Sequence, residues 1–283
     1  MPLTNFSAAT DKGLLRGNNE DSYLSIPERG LWLVADGMGG HEAGEVASAI
    51  VVETIQKSTE RGNDLVDSIQ QAHESVLSAV EEGVGAAGMG STVVALLSDE
   101  HEYQVAWVGD SRAYLWDPDS TGGTLEQIST DHSYVQLLLA SGAIAEDEAA
   151  THPDKNVITQ CIGSQDAGHI RVDSVKGLWR QKQWILLCSD GLTDELSNEM
   201  IAQILCDSRS VRDAVNKLVK QALARGGRDN ITVQIIESPL NRLSRFQAWW
   251  DWLPKIVGDR LWDSLIYGIT LLSFILLCFW LLI

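Results

Sequence analysis

Cysteine is scarce. Cys161, Cys188, Cys206 and Cys278 are the four among 283 residues, and no two stand at CxxC spacing. That excludes a cysteine-based zinc framework, disfavours a disulfide scaffold and fits a reducing compartment. Basic residues are also few: 21 Lys and Arg against 39 Asp and Glu, a formal net charge of −18. Nucleic-acid binders show the opposite balance, so no nucleic-acid partner is expected. The opening residues Met1-Pro2-Leu3-Thr4-Asn5-Phe6 have no basic n-region and no apolar h-region, so no secretory signal is expected. Several catalytic signatures are missing too. No G-x-S-x-G elbow and no P-loop occurs, which removes the key signals of serine hydrolases and NTPases. The run 36-DGMGG-40 is not G-x-G-x-x-G, and His41-Glu42 opens no H-E-x-x-H because Glu45 holds the fifth position. Cys206 and Arg212 stand at C-x5-R spacing, but 207-DSRSV-211 between them has no glycine to shape a phosphate cradle.

What is present is a globular balance, 45% hydrophobic and 21% charged, which excludes a wholly disordered chain. Strand-length apolar runs recur at 31-LWLVA-35, 92-TVVALLS-98, 103-YQVAWVG-109, 112-RAYLWD-117, 184-WILLCS-189 and 231-ITVQII-236. Helix-period stretches lie at 44–58, 64–82, 131–141 and 211–224. The runs at 92–98, 103–109 and 112–117 follow one another closely, as an antiparallel meander would. This order predicts an α+β fold rather than a doubly wound parallel sheet.

The C-terminal end has a different character. Residues 264–283 (SLIYGITLLSFILLCFWLLI) carry no charge, and sixteen of the twenty are aliphatic, aromatic or Cys. At about 1.5 Å per residue they span about 30 Å, one hydrocarbon thickness. Trp249, Trp250, Trp252 and Trp262 precede them, as in a headgroup belt. Residues 241–283 are net +1 and the rest of the chain −19. The expected organisation is a soluble domain over 1–238, a juxtamembrane linker over 239–263 and a transmembrane anchor over 264–283. With nothing after Ile283, the anchor would enter tail-first and leave the acidic body cytoplasmic, with Arg242, Arg245, Lys255 and Arg260 on the inner side. A buried core helix is the competing reading.

The chemistry gathers where strands end. The runs lead into Asp36-Gly37 and Asp190-Gly191, Asp229-Asn230 precedes a run, and Asp110 lies between two. Arg16, Glu20 and Asp21 stand early in the chain. A carboxylate at a sheet edge is partly withdrawn from water, and several together repel one another. Hard divalent cations relieve both costs. A single Asp-Gly is usually just a turn; the recurrence is what carries information. Arg16 also stands four residues before Glu20, where an ion pair between them is an ordinary alternative.

The ordered set Arg16-x-x-Asn19-Glu20-Asp21, 36-DGMGGHEAGEVAS-48, 88-GMGSTVV-94, 109-GDSRAY-114, 130-TDHS-133, 152-HP-153, 189-SDGLTD-194 and 228-RDNITV-233 resembles the PPM family (protein phosphatase 2C), metal-dependent Ser/Thr protein phosphatases, over about residues 4–237. The resemblance implies an α-β-β-α sandwich of two antiparallel sheets flanked by helices. It implies two Mn²⁺ or Mg²⁺ ions bridged by Asp36, with Glu20 and the Gly37 carbonyl serving one and Asp190 and Asp229 the other. Asp21 would be an outer or alternative ligand, and Asp110 with Asp190 would hold a third, weaker ion. Arg16 would grip the substrate phosphate, and 140–160 would form a mobile flap beside the site. A water made acidic between two dications would attack phosphorus without a phosphoenzyme. In eukaryotic relatives a His directly follows the Asp-Gly pair; here that place is Met38, so His41 is not assigned as the acid. His132 and His152 are expected to be structural or flap residues. The resemblance implies phosphoprotein substrates; the expected anchor would set them at the inner face of a membrane, where a membrane Ser/Thr kinase would be the opposing enzyme. The alternative is a phosphoprotein-binding module that does not hydrolyse.

Overall fold

The computed structural model describes residues 5–39, 43–118, 122–149, 152–164 and 170–240. The chain divides into two compact units, Met1–Leu240 and Asn241–Ile283, and the described residues all belong to the first. Among them no helix is long and apolar enough to cross a membrane. The expected anchor over 264–283 lies outside the described residues, as does nearly all of the linker.

The elements run β1 Phe6–Asp11, β2 Asp21–Ile26, β3 Leu31–Met38, α1 Ala43–Glu60, α2 Leu65–Glu81, β4 Gly90–Ser91, β5 Val93–Ser98, β6 Glu102–Val108, β7 Arg112–Asp117, β8 Thr124–Gln127, α3 Tyr134–Ala140, α4 Glu146–Ala149, β9 Asp173–Leu178, β10 Trp184–Cys188, α5 Asp190–Thr193, α6 Asn198–Cys206, α7 Val211–Arg225 and β11 Ile231–Glu237. One sheet has the order β1-β11-β10-β7-β8. The other has the order β2-β3-β5-β6-β9, with β4 added to the end of β3. The register given for these strand pairs is antiparallel throughout.

Period-two alternation sorts the apolar side chains into three layers. Leu31, Leu33 and Ala35 of β3 pack with Val51, Ile55 and Ile69 of α1 and α2. Their neighbours Trp32 and Val34 point between the sheets, where they meet Trp107, Ile185 and Leu187. Leu186, Val233 and Ile235 face α6 and α7. The result is helix, sheet, sheet, helix. A central strand such as β3 is buried on both faces, which is why its sequence is a continuous apolar run. Each aliphatic side chain so buried contributes roughly 1.5–3 kcal/mol. Helix starts are set by short polar side chains: Asp64, Ser133, Ser197 and Ser210 accept from the first-turn amides of α2, α3, α6 and α7. The helical stretch expected from 131 accordingly begins at Tyr134.

Two expectations are corrected. Asp36 and Gly37 do not follow a strand ending at Ala35; β3 continues through both to Met38. The meander is also broken. β5 and β6 form a hairpin in one sheet, but β7 crosses to the other sheet and pairs with β10 and β8. The crossing is made at Gly109, whose φ of +104° only glycine adopts readily. A Cβ there would lie 2.6 Å from Thr92 Cγ2.

Candidate active site

At one end of the sandwich the layer between the sheets turns polar. Thr232 of β11 is buried there, and its hydroxyl is 2.8 Å from that of Thr10. Ser189, which leads into α5, donates its hydroxyl to Asp21 Oδ2 at 2.8 Å and accepts from the Thr232 amide at 3.0 Å. Beyond this polar seam opens a cavity of about 320 Å³. Arg16, Glu20, Asp36, Gly37, Asp110, Asp190 and Asp229 all line it. Asp21 is not part of this lining; its carboxylate is buried opposite Asp36 on the neighbouring strand. The structure thus brings seven of the eight predicted residues to one cavity and leaves the eighth beside it.

Each acid has its own mount. Asp36 is carried by β3, directly opposite Asp21 of β2 in antiparallel register. Its carbonyl accepts from the Thr92 amide at 2.8 Å and the Ser91 hydroxyl at 3.1 Å. Gly37 allows the start of α1 to close on the strand: a Cβ at Gly37 would lie 2.0 Å from the Gly44 carbonyl oxygen. Gly44 in turn lies against Glu20, whose Oε2 would be 2.8 Å from a Cβ there. Asp110 sits on the Gly109 crossing, which His132 pins: its Nδ1 accepts from the Gly109 amide at 3.2 Å and its own amide donates to the Gly109 carbonyl at 2.9 Å. His132 is therefore structural, as expected. Asp190 opens α5. Gly191 beside it lets the turn approach Asn230, whose carbonyl oxygen would be 2.0 Å from a Cβ.

Asn230 ties the chain's beginning to its end. Its Oδ1 accepts from the Glu20 amide at 2.7 Å, and its Nδ2 donates to the carbonyls of Lys12 and Asn18 at 2.9 and 3.0 Å. Arg16, on the loop so held, donates to Asp229 Oδ2 at 2.6 Å. The ion pair of Arg16 is therefore with Asp229 and not with Glu20. The clamping role of Asn230 was not read from the sequence, although the residue stands inside the Arg228-Asp229-Asn230 motif; nor were the roles of Ser189, Gly44 and Gly191. His41 lies outside the described residues. Cys206 ends α6 and does not line the cavity.

Burial and mutual repulsion dominate the electrostatics. Burial, helped by the charges of Asp229 and Glu20, pushes Asp21 up to about 6 against the hydroxyl bonds from Thr232 and Ser189. Burial and the Asp131 carboxylate push Asp110 up to about 6. Asp36 and Asp190 are held well above the ordinary carboxylate range, first by burial and then by the neighbouring acids. Asp21 Oδ1 and Asp190 Oδ1 are buried with no hydrogen-bond partner, a costly state for a carboxylate. Among the described residues, no three His, Cys, Asp or Glu side chains are already arranged as an ion cage. The carboxylates instead share a cavity, with Arg16 as the cation that meets them.

From the expected flap, Asn156 and Ile158 also line the cavity. Lys155 Nζ and Asn156 Nδ2 donate to the two oxygens of Asp194 at 2.9 and 3.0 Å. The Asp194 amide donates to the Asp190 carbonyl at 2.7 Å.

Comparisons with known proteins agree with this arrangement. Residues 16–226 match the family model for protein phosphatase 2C. The chain is 33% identical over 249 residues to the serine/threonine phosphatase stp of Listeria welshimeri, covering 83% of this chain and 96% of that one. It is 36% identical over 239 residues to the serine/threonine protein phosphatase PstP of Mycobacterium tuberculosis, covering 82% of this chain and 44% of that one. A crystal structure of the PstP catalytic domain in complex with two manganese ions superposes with a TM-score of 0.72 at 32% identity, covering 82% of this chain and 97% of that one. The serine/threonine phosphatase of S. agalactiae superposes with a TM-score of 0.74 at 32% identity, covering 83% and 99%. The chain belongs to the protein phosphatase 2C family and is a protein serine/threonine phosphatase.

Proposed function

We propose that the chain hydrolyses phosphoserine and phosphothreonine esters with divalent cations, Mn²⁺ or Mg²⁺, drawn into the acidic cavity. The observation that carries this reading is the pair of unpartnered buried oxygens on Asp21 and Asp190, set among carboxylates that repel one another. Oxygen donors of this hardness and charge suit those ions. Asp36, Glu20 and the Gly37 carbonyl would serve one ion, and Asp36, Asp190 and Asp229 a second. Asp110 and Asp190 would be the donors for a third, weaker ion, and Asp21, opposite Asp36 on β2, would be an outer partner. Bound there, the cations supply Lewis acidity toward the phosphoryl oxygens and toward an attacking water.

The chain's own residues do the rest. Asp36 and Asp190 give up the protons that burial favours as cations enter, so uptake is coupled to proton release. Arg16 is half exposed, with 53% of its side chain accessible. Its planar fork is free to turn from Asp229 to two oxygens of a phosphate ester. Asn230 fixes the loop that carries Arg16 and Glu20, so guanidinium and carboxylates keep one spacing.

The residues at 264–283 are proposed to anchor this activity to the inner face of a membrane, where a membrane Ser/Thr kinase would be the opposing enzyme. Their uncharged length and the Trp residues before them support this. The test is Mn²⁺-dependent release of phosphate from p-nitrophenyl phosphate and phosphoproteins by the full chain and by Asp36→Ala. Phosphoprotein binding without any hydrolysis would reveal a binding module instead. Removing 241–283 should release the protein from membranes while sparing hydrolysis of p-nitrophenyl phosphate; unchanged membrane location would overturn the anchor.

A further inference from the structure

A second cavity lies beside the catalytic one. It has a volume of about 650 Å³ and runs between α3, α4 and the start of α6. Asn156, from the expected flap, lines both cavities, so they share a wall. We propose that this second cavity seats the polypeptide on one side of the phosphorylated residue, recognising main chain more than any particular charge. This rests on the phosphatase reading above and names where its substrate's flanking residues lie.

Three observations lead there. The first is adjacency: an extended chain advances about 3.3 Å per residue, so a residue or two beyond the phosphorylated one clears Asn156. The second is size. The neighbour holds about 650 Å³ against 320 Å³ for the catalytic cavity, room for more than one side chain and its main chain. The third is the state of the lining. Its charged groups are mostly spent on one another. Arg112 is bound by Asp131 through contacts of 3.0, 3.0 and 2.7 Å, Lys155 by Asp194 at 2.9 Å, and Glu195 by Arg228 at 2.8 Å. The remaining Glu146 and Arg225 are of opposite sign. Such a wall has little net field with which to select a charged motif. Neutral donors are left over instead. Among the described residues, the Gln136 side-chain amide has no hydrogen-bond partner, and Asn198 uses only its Oδ1, which accepts from Tyr114 at 3.0 Å. Free amides of this kind pair with peptide N–H and C=O groups whatever side chains follow.

The experiment uses the full chain with saturating Mn²⁺. Rates are compared on p-nitrophenyl phosphate, on phosphothreonine with only acetyl and amide ends, and on a degenerate library of longer phosphothreonyl peptides. Gln136→Trp and Leu139→Trp fill the cavity, and Gln136→Ala removes the amide without adding bulk. The filling variants should lower kcat/KM on the library about tenfold, the scale of a lost set of pocket contacts. Gln136→Ala should lower it about threefold, and the two short substrates should stay within about twofold. If a filling variant fails to fold, Gln136→Ala decides. Equal effects on long and short substrates, or none on either, would overturn the subsite. If the unaltered chain shows no Mn²⁺-dependent hydrolysis of p-nitrophenyl phosphate, the phosphatase reading itself falls and takes the subsite with it.

Discussion

Asp36 stands directly opposite Asp21 across the β2–β3 ladder. Side chains so paired lie about 5 Å apart at Cβ, and like charges there are destabilising. Neither acid has a basic neighbour in its own strand pair. The folded state therefore prefers at least one of them protonated, and the cost of ionising both must be met from outside the pair.

That preference sets a pH dependence. Asp21 and Asp110 are pushed from 3.8 up to about 6, and Asp36 and Asp190 well above their ordinary value. The unfolded chain loses these protons near pH 4, while the folded chain keeps them. Between those limits the folded state binds more protons, so stability falls as pH rises. Without cations, the melting temperature should decline from about pH 4 to beyond pH 6, with Asp21 and Asp110 each costing on the order of 1–3 kcal/mol and Asp36 and Asp190 acting in the same direction. Saturating Mn²⁺ binds the deprotonated acids and should flatten or reverse that slope. Calorimetry across this window in EDTA and in Mn²⁺ checks both signs; parallel curves would contradict the scheme.

Asp36→Asn separates stability from function. The amide keeps the shape and removes the repulsion with Asp21 and Asp190. In EDTA near pH 7 the variant should melt at or above the temperature of the unaltered chain. Hydrolysis of p-nitrophenyl phosphate should fall by about a thousandfold or more, the scale of losing a central transition-state contact. A variant that is both destabilised and still active would show that Asp36 is a structural acid.

Much of this was legible in the sequence, for a physical reason. Strands buried on both faces, such as β3, β5, β10 and β11, must be continuously apolar and so stand out. β1, β2, β8 and β9 are half-buried or exposed along most of their length and read as polar segments. They lie toward the edges of the sheets. Sheet membership was not legible either. The side-chain period is the same in both sheets, so nothing but Gly109 marks where β7 leaves its neighbour. Asp36, Asp110, Asp190 and Asp229 stand out because each adjoins an apolar run; Glu20 and Asp21, beside the polar β2, are marked only by the family resemblance. Asn230 was missed as a clamp because its partners, Lys12, Asn18 and Glu20, lie more than 200 residues away in the chain.

Asn230 yields a prediction of its own. Asn230→Ala strands one amide and two carbonyls that are partly buried, at a cost of about 2–4 kcal/mol. Asn230→Asp keeps an acceptor for the Glu20 amide but sets a carboxylate oxygen against two carbonyls and adds charge to the cavity. Both should raise the Mn²⁺ concentration needed for half-maximal hydrolysis, and Asp more steeply. Unchanged Mn²⁺ dependence in both, with folding intact, would remove Asn230 from the site's architecture.

Gly37 and Gly17 offer a paired test of the close approach between β3 and α1. Gly37→Ala places a methyl 2.0 Å from the Gly44 carbonyl and 2.7 Å from that of Glu20, both backbone atoms that cannot swing aside. Either β3 or the start of α1 must shift, and Glu20 and Asp36 move with them. The expected cost is about 3 kcal/mol or more, as for severe overpacking, with loss of hydrolysis. Gly17 neighbours Arg16, has no atom within 4 Å of an added Cβ and does not adopt a positive φ. Gly17→Ala should therefore be neutral or stabilise by up to about 1 kcal/mol through the unfolded chain, with activity retained. Denaturant titration together with p-nitrophenyl phosphate turnover distinguishes the two. Similar behaviour of both variants would mean that the contact between Gly37 and Gly44 does not position the acids.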